Sequence, residues 1–264
     1  MFKWIYIPFI MIAIFSTFVE SKETLKVCTT GDYPPLTYFN KKTHKFNGFA
    51  ITVIENFAKN ENKKIQFVPT TWANLTTDLK NNCDFAVGGI TNTAKRAEQF
   101  MLSPPLKRNQ KSPVFSKYNA KTFTSFNKID QASTTVIENK GGTNESFAKS
   151  HIQHANIIVV PSNETAYACL NKYPRKKLVM FTDQIEIDYR THQSKSKLSS
   201  SGKNIQIPNN PVSQKVFMTN KNQKGKELMS KFNYYYDKNS VHFKHWFIQA
   251  IGQKYHHQKA ECPF

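Results

Sequence analysis

The sequence predicts a two-lobed α/β fold, in which each lobe is a mostly parallel sheet flanked by helices and a two-stranded hinge joins the lobes. The first observation is a βαβαβ order of strands and helices over residues 25–87. The second is the same order, starting again over residues 134–183. The third is that no long Gly- or Ser-rich linker separates the two units. Two units of about a hundred residues each are therefore expected to flank a cleft.

Hydrophobic periodicity and turn residues define the first unit. A buried strand ends at Gly31 and the Pro34-Pro35 turn, and the next segment carries Ile51, Ile54 and Phe57 at helical spacing. We predict strands over residues 25–29, 64–68 and 85–87, and helices over residues 50–60 and 74–80.

The second unit repeats this pattern and is followed by a return to the first. We predict strands over residues 134–137, 156–160 and 178–181, and helices from about residue 144, over residues 164–172 and from residue 183. Residues 111–117 and 214–219 are extended and are predicted to be the hinge strands, and residues 224–254 are predicted to be helical. Lobe one would comprise residues 22–116 and 214–264, and lobe two residues 117–213.

The N-terminus has the layout of a secretory signal peptide. Lys3 supplies a positive start, residues 4–19 are apolar except for two hydroxyl residues, and small residues precede a break after Ser21. The apolar stretch is shorter than the roughly 20 residues that span a bilayer, although an uncleaved anchor is the alternative. We therefore expect residues 1–21 to direct export to the periplasm, with no stable membrane insertion after cleavage.

The charge is strongly basic, with 37 Lys and Arg against 18 Asp and Glu and a formal net charge of +19. The lysines form short scattered clusters that are not interleaved with aromatic residues, so nucleic-acid binding is not expected. A positive field does favour capture of an anionic ligand.

Four cysteines in an exported chain predict two disulfides, for which three connectivities are possible. Cys28 and Cys83 lie in or beside strands that could be neighbours, and Cys169 could then hold the tail at Cys262. The spacing of the four cysteines matches no zinc motif.

Ligands of parallel α/β sheets bind beyond the carboxyl ends of the strands. That rule directs attention to residues 29–33, 69–72 and 88–96. Residues 29–35, the Gly48-Phe49 pair and residues 88–96, 141–145 and 181–183 resemble family 3 of the periplasmic solute-binding proteins, which serve polar amino-acid importers. The resemblance covers nearly all of the chain after residue 21 and implies the two-lobed, periplasmic-binding-protein-like type II fold.

One subgroup matches better than the rest. Residues 29–33, 67–72, 111–113, 139–147 and 182–186 resemble the periplasmic cyclohexadienyl dehydratases. Those enzymes convert prephenate or arogenate to phenylpyruvate or phenylalanine with loss of water and carbon dioxide. The resemblance implies a lyase that needs no metal or organic cofactor.

Two anion sites follow from the residues and from the resemblance. Arg96 and Thr91 are expected to hold a ligand carboxylate, because a guanidinium can donate two parallel hydrogen bonds to it. Thr143 and Asn144 begin a helix after two glycines, where free backbone N–H groups favour a second anion. The alternative for Thr143 is a helix N-cap.

Glu186 decides between an enzyme and an importer subunit. The resemblance makes Asp183 the usual acceptor of a ligand ammonium and Glu186 the general acid of a dehydratase. A carboxyl kept protonated by burial could deliver a proton to the leaving hydroxyl. The alternative is that Asp183 and Glu186 form a helix capping box.

Tyr33, Trp72 and Lys111 complete the predicted pocket. The resemblance places Tyr33 and Trp72 against the ligand, and Lys111 could pair with a carboxylate or with the pyruvyl carbonyl. Packing or surface exposure is the alternative for each. Ala50 and Thr52 depart from the family, which usually has acidic residues after Gly-Phe.

Other chemistry has little support in the sequence. His242, His245 and the His256-His257 pair have no suitably spaced acidic residue, so no metal site is expected. The main alternative function is the substrate-binding subunit of a polar amino-acid importer, with an ABC permease as its partner. A third is a catalytically inactive sensor or host-directed binding protein.

Overall fold

A computed structural model of the protein describes residues 22–253 and 260–264. The predicted signal peptide, residues 1–21, and the His256-His257 pair lie outside the described residues. Within the described part of the chain, no helix is both long and apolar enough to cross a membrane.

The first part of the chain forms most of lobe one, and its predicted strands and helices are confirmed within a few residues. The elements are β1 (Thr24–Thr29), β2 (Asp32–Tyr33), β3 (Thr37–Asn40), β4 (Lys45–Asn47), α1 (Phe49–Asn60), β5 (Lys64–Pro69), α2 (Leu75–Asn82), β6 (Phe85–Ala86), α3 (Ala94–Gln99) and β7 (Phe100–Leu102).

The chain then crosses to lobe two, where the second βαβαβ unit is also confirmed. The elements are β8 (Lys107–Asn109), β9 (Lys111–Ser116), α4 (Phe126–Ile129), β10 (Thr135–Asn139), α5 (Thr143–His151), β11 (Asn156–Val160), α6 (Asn163–Lys172), β12 (Leu178–Asp183), α7 (Gln184–His192) and β13 (Leu198–Ser199).

A second crossing returns the chain to lobe one and to the predicted helical segment. The elements are β14 (Ser213–Lys215), β15 (Met218–Asn220), α8 (Gln223–Asn239) and α9 (Phe243–Gly252), with a short 3₁₀ turn, Ser240–His242, between the two helices.

The sheets are mixed, whereas the sequence predicts mostly parallel ones. Lobe one has the strand order β5-β1-β6-β15-β7, and lobe two has β11-β10-β12-β9-β13. In each lobe the βαβαβ unit supplies three parallel strands, and the remaining two strands pair antiparallel. Of these antiparallel strands, β7, β9 and β15 lie next to a hinge crossing in the chain, and β13 follows α7.

The hinge prediction is wrong for residues 111–117. Lys111–Ser116 forms β9, which is buried throughout and pairs with β12 inside the lobe-two sheet. The strands that cross between the lobes are β8 and β14, which pair antiparallel with Arg108 opposite Gln214. A buried antiparallel strand and a crossing strand look alike in sequence. The consequence for the site is that Lys111 pairs directly with Asp183.

Each lobe has its own hydrophobic core. In lobe one the apolar face of α1 packs on the sheet and on α8, and the Phe57 ring contacts the rings of Phe85, Phe232 and Tyr235. In lobe two α6 packs on the strands beside it, with Tyr167 and Leu170 in the core. Two separate cores leave the surfaces between the lobes free to carry polar side chains.

Both disulfides of the favoured connectivity are confirmed. Cys28 is bonded to Cys83, and Cys169 is bonded to Cys262. Cys262 is buried in the lobe-two core, and the carbonyl of Phe264 accepts a hydrogen bond from Tyr173. The last described residues therefore lie on lobe two, whereas the sequence assigns residues 214–264 to lobe one.

Candidate functional site

The polar residues between the lobes surround a small cavity at the carboxyl ends of the central strands, where ligands of such sheets bind. Lobe one contributes one wall and lobe two the other. The residues that line the cavity are Tyr33, Trp72, Gly89, Asn139, Gly142, Thr143, Asn144, Asn163 and Asp183.

Asp183 contacts four polar side chains at this cavity. It ends β12 and is 1% exposed. One carboxylate oxygen lies 3.0 Å from Nζ of Lys111 and accepts a hydrogen bond from Nδ2 of Asn109 at 2.6 Å. The other oxygen accepts from Nζ of Lys215 and from the hydroxyl of Tyr33, which belongs to lobe one. Antiparallel pairing of β9 with β12 explains the first contact, because Lys111 stands directly opposite Asp183.

The two lysines determine the charge state of Asp183. Burial by itself would raise the pKa of this carboxyl. The charges of Lys111 and Lys215, together with the hydrogen bonds, outweigh burial and hold the pKa of Asp183 well below its usual range. Asp183 is therefore an ionised carboxylate that is already neutralised by protein cations.

Lys215 was missed by the sequence analysis. It lies on the crossing strand β14, is 3% exposed, and donates a hydrogen bond to Oγ1 of Thr91 at 2.8 Å. Burial lowers the pKa of Lys215 to about 8, although Asp183 opposes this change. In a chain with 37 Lys and Arg, a single buried lysine has no sequence signature.

Lys111 also begins a network of amides on lobe two. Its Nζ donates to Oδ1 of Asn144, and Nδ2 of Asn144 lies 3.0 Å from Oδ1 of Asn139 and 3.4 Å from Oδ1 of Asn163. Asn139 ends β10 and Asn163 begins α6. Neither amide is among the predicted site residues, although the rule about the carboxyl ends of strands points to both.

Thr91 and Thr143 face each other across the cleft, with their hydroxyl oxygens 3.4 Å apart. The N-cap alternative for Thr143 is wrong, because Gly142 is the N-cap of α5 and no side chain caps it. Gly141 has φ +81°, and a Cβ there would come within 2.4 Å of Cα of Ala73 in lobe one. Glycine is therefore needed at this close approach of the two lobes.

Arg96 lies beside the cavity and does not line it. Its Nη1 donates to the carbonyl oxygen of Thr91 at 2.8 Å, and its side chain faces a recess that Trp72 and Thr143 also line. Burial lowers the pKa of Arg96 to about 10, so it is still a cation at neutral pH.

Tyr33 and Trp72 form the lobe-one wall, with their rings edge to face and their centroids 6.0 Å apart. The indole N–H of Trp72 donates to Oδ1 of Asp32 at 2.9 Å. The other oxygen of Asp32 accepts from the backbone N–H of Asn163 in lobe two at 3.3 Å. Asp32, which the sequence analysis did not select, therefore connects the two walls.

Glu186 lies behind the cavity and is 0% exposed. One oxygen accepts from the hydroxyl of Thr182 at 2.8 Å, and the other accepts from Nε of Arg190 at 2.9 Å. Burial raises the pKa of Glu186 to about 7, against the opposing charge of Arg190. The capping-box alternative is wrong, because the side chain of Asp183 makes no cap bond.

Histidines do not assemble a metal centre within residues 22–253 and 260–264, where no group of three or more His, Cys, Asp or Glu is arranged to hold an ion. His242 instead stacks on the ring of Trp246, with centroids 5.9 Å apart.

Two proteins of known function resemble the sequence over part of its length. A cyclohexadienyl dehydratase of Pseudomonas aeruginosa is 35% identical over 163 residues, which are 61% of this chain and 60% of that protein's length. The L-cystine-binding protein TcyA of Bacillus subtilis is 28% identical over 101 residues, or 38% of each chain.

Two solved structures show the same fold at low identity. An ancestral amino-acid-binding protein, a precursor of cyclohexadienyl dehydratase, has a TM-score of 0.73 at 23% identity and covers 85% of this chain and 95% of its own. The L-arginine-bound substrate-binding protein AbpA of Streptococcus pneumoniae has a TM-score of 0.75 at 17% identity, with 86% and 94% covered.

The family-level match covers more of the chain than the match to either relative does. Residues 25–255 match the bacterial extracellular solute-binding proteins, family 3. The two lobes, the paired crossing strands and the cavity between them are those of a type II periplasmic-binding-protein-like fold. This chain belongs to family 3 of the bacterial extracellular solute-binding proteins.

Proposed function

We propose that this protein is a cyclohexadienyl dehydratase that converts prephenate to phenylpyruvate, with arogenate, which would yield phenylalanine, as a second substrate. The reaction would take place between the lobes after export to the periplasm. The 35% identity to a dehydratase supports this proposal over 61% of the chain. No metal or organic cofactor takes part.

The observation that carries the proposal is the pairing of Asp183 with two lysines. An amino-acid binder of this family needs a free carboxylate there to receive an ammonium. Here Lys111 and Lys215 already hold both oxygens of Asp183, so a ligand ammonium would have to displace a protein ammonium beside another one. The cluster carries two positive charges against one negative, which suits a dianion such as prephenate better than an amino acid.

Arg96 and Thr91 would bind one carboxylate of prephenate from lobe one. The uncapped N-terminus of α5, with Thr143 and Asn144, would bind the other from lobe two. Lys111, whose Nζ donates to Asn144 and lies 3.0 Å from Asp183, could reach a carboxylate or the keto oxygen. Trp72 and Tyr33 would cover the ring.

Glu186 would supply the proton. Its pKa, raised to about 7 by burial, leaves the carboxyl protonated in about half of the molecules at neutral pH. The Glu186 proton would pass to the ring hydroxyl, which leaves as water when its C–O bond breaks. The carbon–carbon bond to the ring carboxylate breaks at the same time, and carbon dioxide leaves. The electron pair of that bond stays in the ring and completes its aromatic system.

Closure of the lobes would position the substrate and exclude water. Contacts across the cleft already join Thr91 to Thr143, and Tyr33 to Asp183. For Glu186 to reach the hydroxyl, the substrate would have to enter between Tyr33 and Asp183, in front of Glu186.

The second candidate is the substrate-binding subunit of a polar amino-acid importer, which would use Asp183 for an ammonium and would have an ABC permease as its partner. The observation that favours it is the 28% identity to an L-cystine-binding protein over 38% of the chain. Such a subunit would bind an amino acid and carry out no chemistry.

The test is prephenate turnover by the purified chain from residue 22 onward, followed by phenylpyruvate absorbance, with arogenate assayed in parallel. Thermal shift with L-arginine, L-cystine and other amino acids is measured on the same preparation. Phenylpyruvate formation would support the dehydratase. No turnover together with stabilisation by an amino acid would replace it with the importer subunit. No turnover and no stabilisation would leave the sensor or host-directed binder.

A further inference from the structure

Arg190 is a fully buried arginine that the proposed reaction does not use. It lies on α7 one turn after Glu186 and is 2% exposed. Its Nε donates to Oε1 of Glu186 at 2.9 Å, and its Nη2 donates to Oε1 of Glu164 at 2.5 Å. Glu164 is itself only 4% exposed, so three charged side chains share one buried volume.

Helix α6 supplies the second carboxylate and also an aromatic face. Glu164 lies in the first turn of α6, and Tyr167 follows it by three residues on the same side of the helix. The guanidinium of Arg190 lies over the Tyr167 ring, 3.8 Å from its centroid. Arg190 is therefore held by α6 in one orientation, with its Nε edge directed at Glu186.

The same arginine reaches lobe one. Its Nη2 lies 3.4 Å from the carbonyl oxygen of Asp32, and the carboxylate of Asp32 accepts from the backbone N–H of Asn163 at the start of α6. Asp32 of lobe one thus contacts both Arg190 and the first residue of α6, the helix that positions Arg190.

The balance of charge among Arg190, Glu164 and Glu186 affects whether Glu186 is protonated. An arginine paired with Glu186 alone would favour the ionised carboxylate, which cannot donate a proton. Glu164 forms an ion pair with Arg190 and balances its positive charge. Arg190 can therefore donate the hydrogen bond that orients Glu186 without requiring Glu186 to be ionised.

We propose that Arg190 and Glu164 are a pair of positioning residues for Glu186, in which Arg190 orients the carboxyl and Glu164 balances the charge of Arg190. This inference rests on the proposed function, because it treats Glu186 as the proton donor.

The remaining surroundings of Glu186 agree with this division of roles. The titratable groups that face it are Arg190 on α7, Glu164 and Tyr167 on α6, Tyr33 on β2 and Glu138 on β10. Arg190 is the cation of this set. Burial is the main cause of the raised pKa of Glu186, Glu164 adds to it, and Arg190 opposes it.

The test is the titration midpoint of Glu186, measured without substrate by ¹³C NMR of the glutamate carboxyl carbons and assigned by comparison with Glu186→Gln. Glu164→Gln should move the midpoint lower by about one pH unit or more, because Arg190 then pairs with Glu186 alone. Arg190→Gln should move it higher. The double variant Glu164→Gln/Arg190→Gln, which keeps the charge balanced, should return it toward the wild-type value.

Glu227→Gln, the same change at an exposed position on α8, is the control and should leave the midpoint unchanged. If Arg190→Gln does not fold, the titration midpoints of Glu186 in Glu164→Gln and in the double variant still test the proposal. An unchanged midpoint in Glu164→Gln, with only a loss of thermal stability, would overturn the proposal and leave a structural ion pair. The readout needs no turnover, so this failure is distinct from a failure to convert prephenate.

Discussion

Two carboxylates at the start of α7 have opposite surroundings. Asp183 and Glu186 are three residues apart and both are buried, yet the pKa of Asp183 is held well below its usual range and that of Glu186 is raised to about 7. Asp183 faces two lysines, whereas Glu186 shares a single arginine with Glu164.

Burial alone therefore does not decide the charge of a buried carboxyl. Both groups lose water to a similar extent, and the number of cations available to each decides which one ionises. Two carboxylates whose environments separate their pKa values are typical of sites where one acts as an acid and the other remains a fixed charge. Asp183 would be the fixed charge and Glu186 the acid.

The largest expected effect comes from removing the fixed charge. Asp183→Asn leaves Lys111 and Lys215 buried without a counter-charge, so the free energy of unfolding should fall by about 3–5 kcal/mol. Urea unfolding at neutral pH measures it. Because the folded pKa of Asp183 lies below its unfolded value of about 4, this difference is present above about pH 4 and is lost as pH falls further.

Asp237→Asn on the exposed side of α8 is the matched control and should change stability little. An Asp183→Asn variant as stable as the control would mean that the lysines do not depend on Asp183. The contrast between the two carboxylates would then have no energetic basis.

Removing one of the two lysines that pair with Asp183 should change the affinity of the site for its ligands. Lys215→Met keeps the length of the side chain and removes its charge, so the Kd for prephenate should rise about 10- to 100-fold. One oxygen of Asp183 then keeps only its hydrogen bond from Tyr33 and loses its cation, so the preference should shift toward arogenate, which carries an ammonium. Calorimetry with both compounds measures this, with the exposed Lys226→Met as the control. Equal loss for the two compounds would argue against Asp183 as the discriminating group.

The smallest effect is a graded one with pH. Because the proposed general acid must be protonated, kcat/KM for prephenate should decrease as pH rises through about 7, by about tenfold between pH 6 and pH 8. Binding of prephenate should weaken as pH rises past about 8, where Lys215 loses its proton. Separate pH profiles of kcat/KM and of Kd distinguish the two groups. A kcat/KM that increases over this range would assign Glu186 the role of a base.

Much of the fold could be predicted from the sequence, because periodicity and turn residues specify each βαβ unit locally. The hinge could be predicted only in part, because residues 214–215 do lie in the crossing strand β14 whereas residues 111–116 lie in the lobe-two sheet. The segment that forms β9 mixes Lys and Ser with apolar residues, and only its pairing with β12 shows that it belongs to a sheet. The antiparallel strands of each lobe were missed for the same reason, since their partners are distant in the chain.

The site was predictable in part from the ends of strands. That rule pointed to the segments that contain Tyr33, Trp72 and Thr91, and it could also have pointed to Asn139 and Asn163. Asp183 came from the family resemblance, and Thr143 came from the glycine pair before α5.

The buried charges were not predictable. Lys215, Glu164 and Arg190 lie on elements where charged residues usually face solvent. Their burial depends on how α6, α7 and the crossing strands pack together, and sequence spacing does not report that packing.

The most direct test of the central claim is the rate of phenylpyruvate formation from prephenate by Glu186→Gln, beside wild type and Asp188→Asn on the same helix. If Glu186 is the general acid, kcat should fall at least about 100-fold in Glu186→Gln, with the Kd for prephenate and the stability nearly unchanged, and Asp188→Asn should behave as wild type. A Glu186→Gln variant that keeps a rate close to wild type would contradict the account.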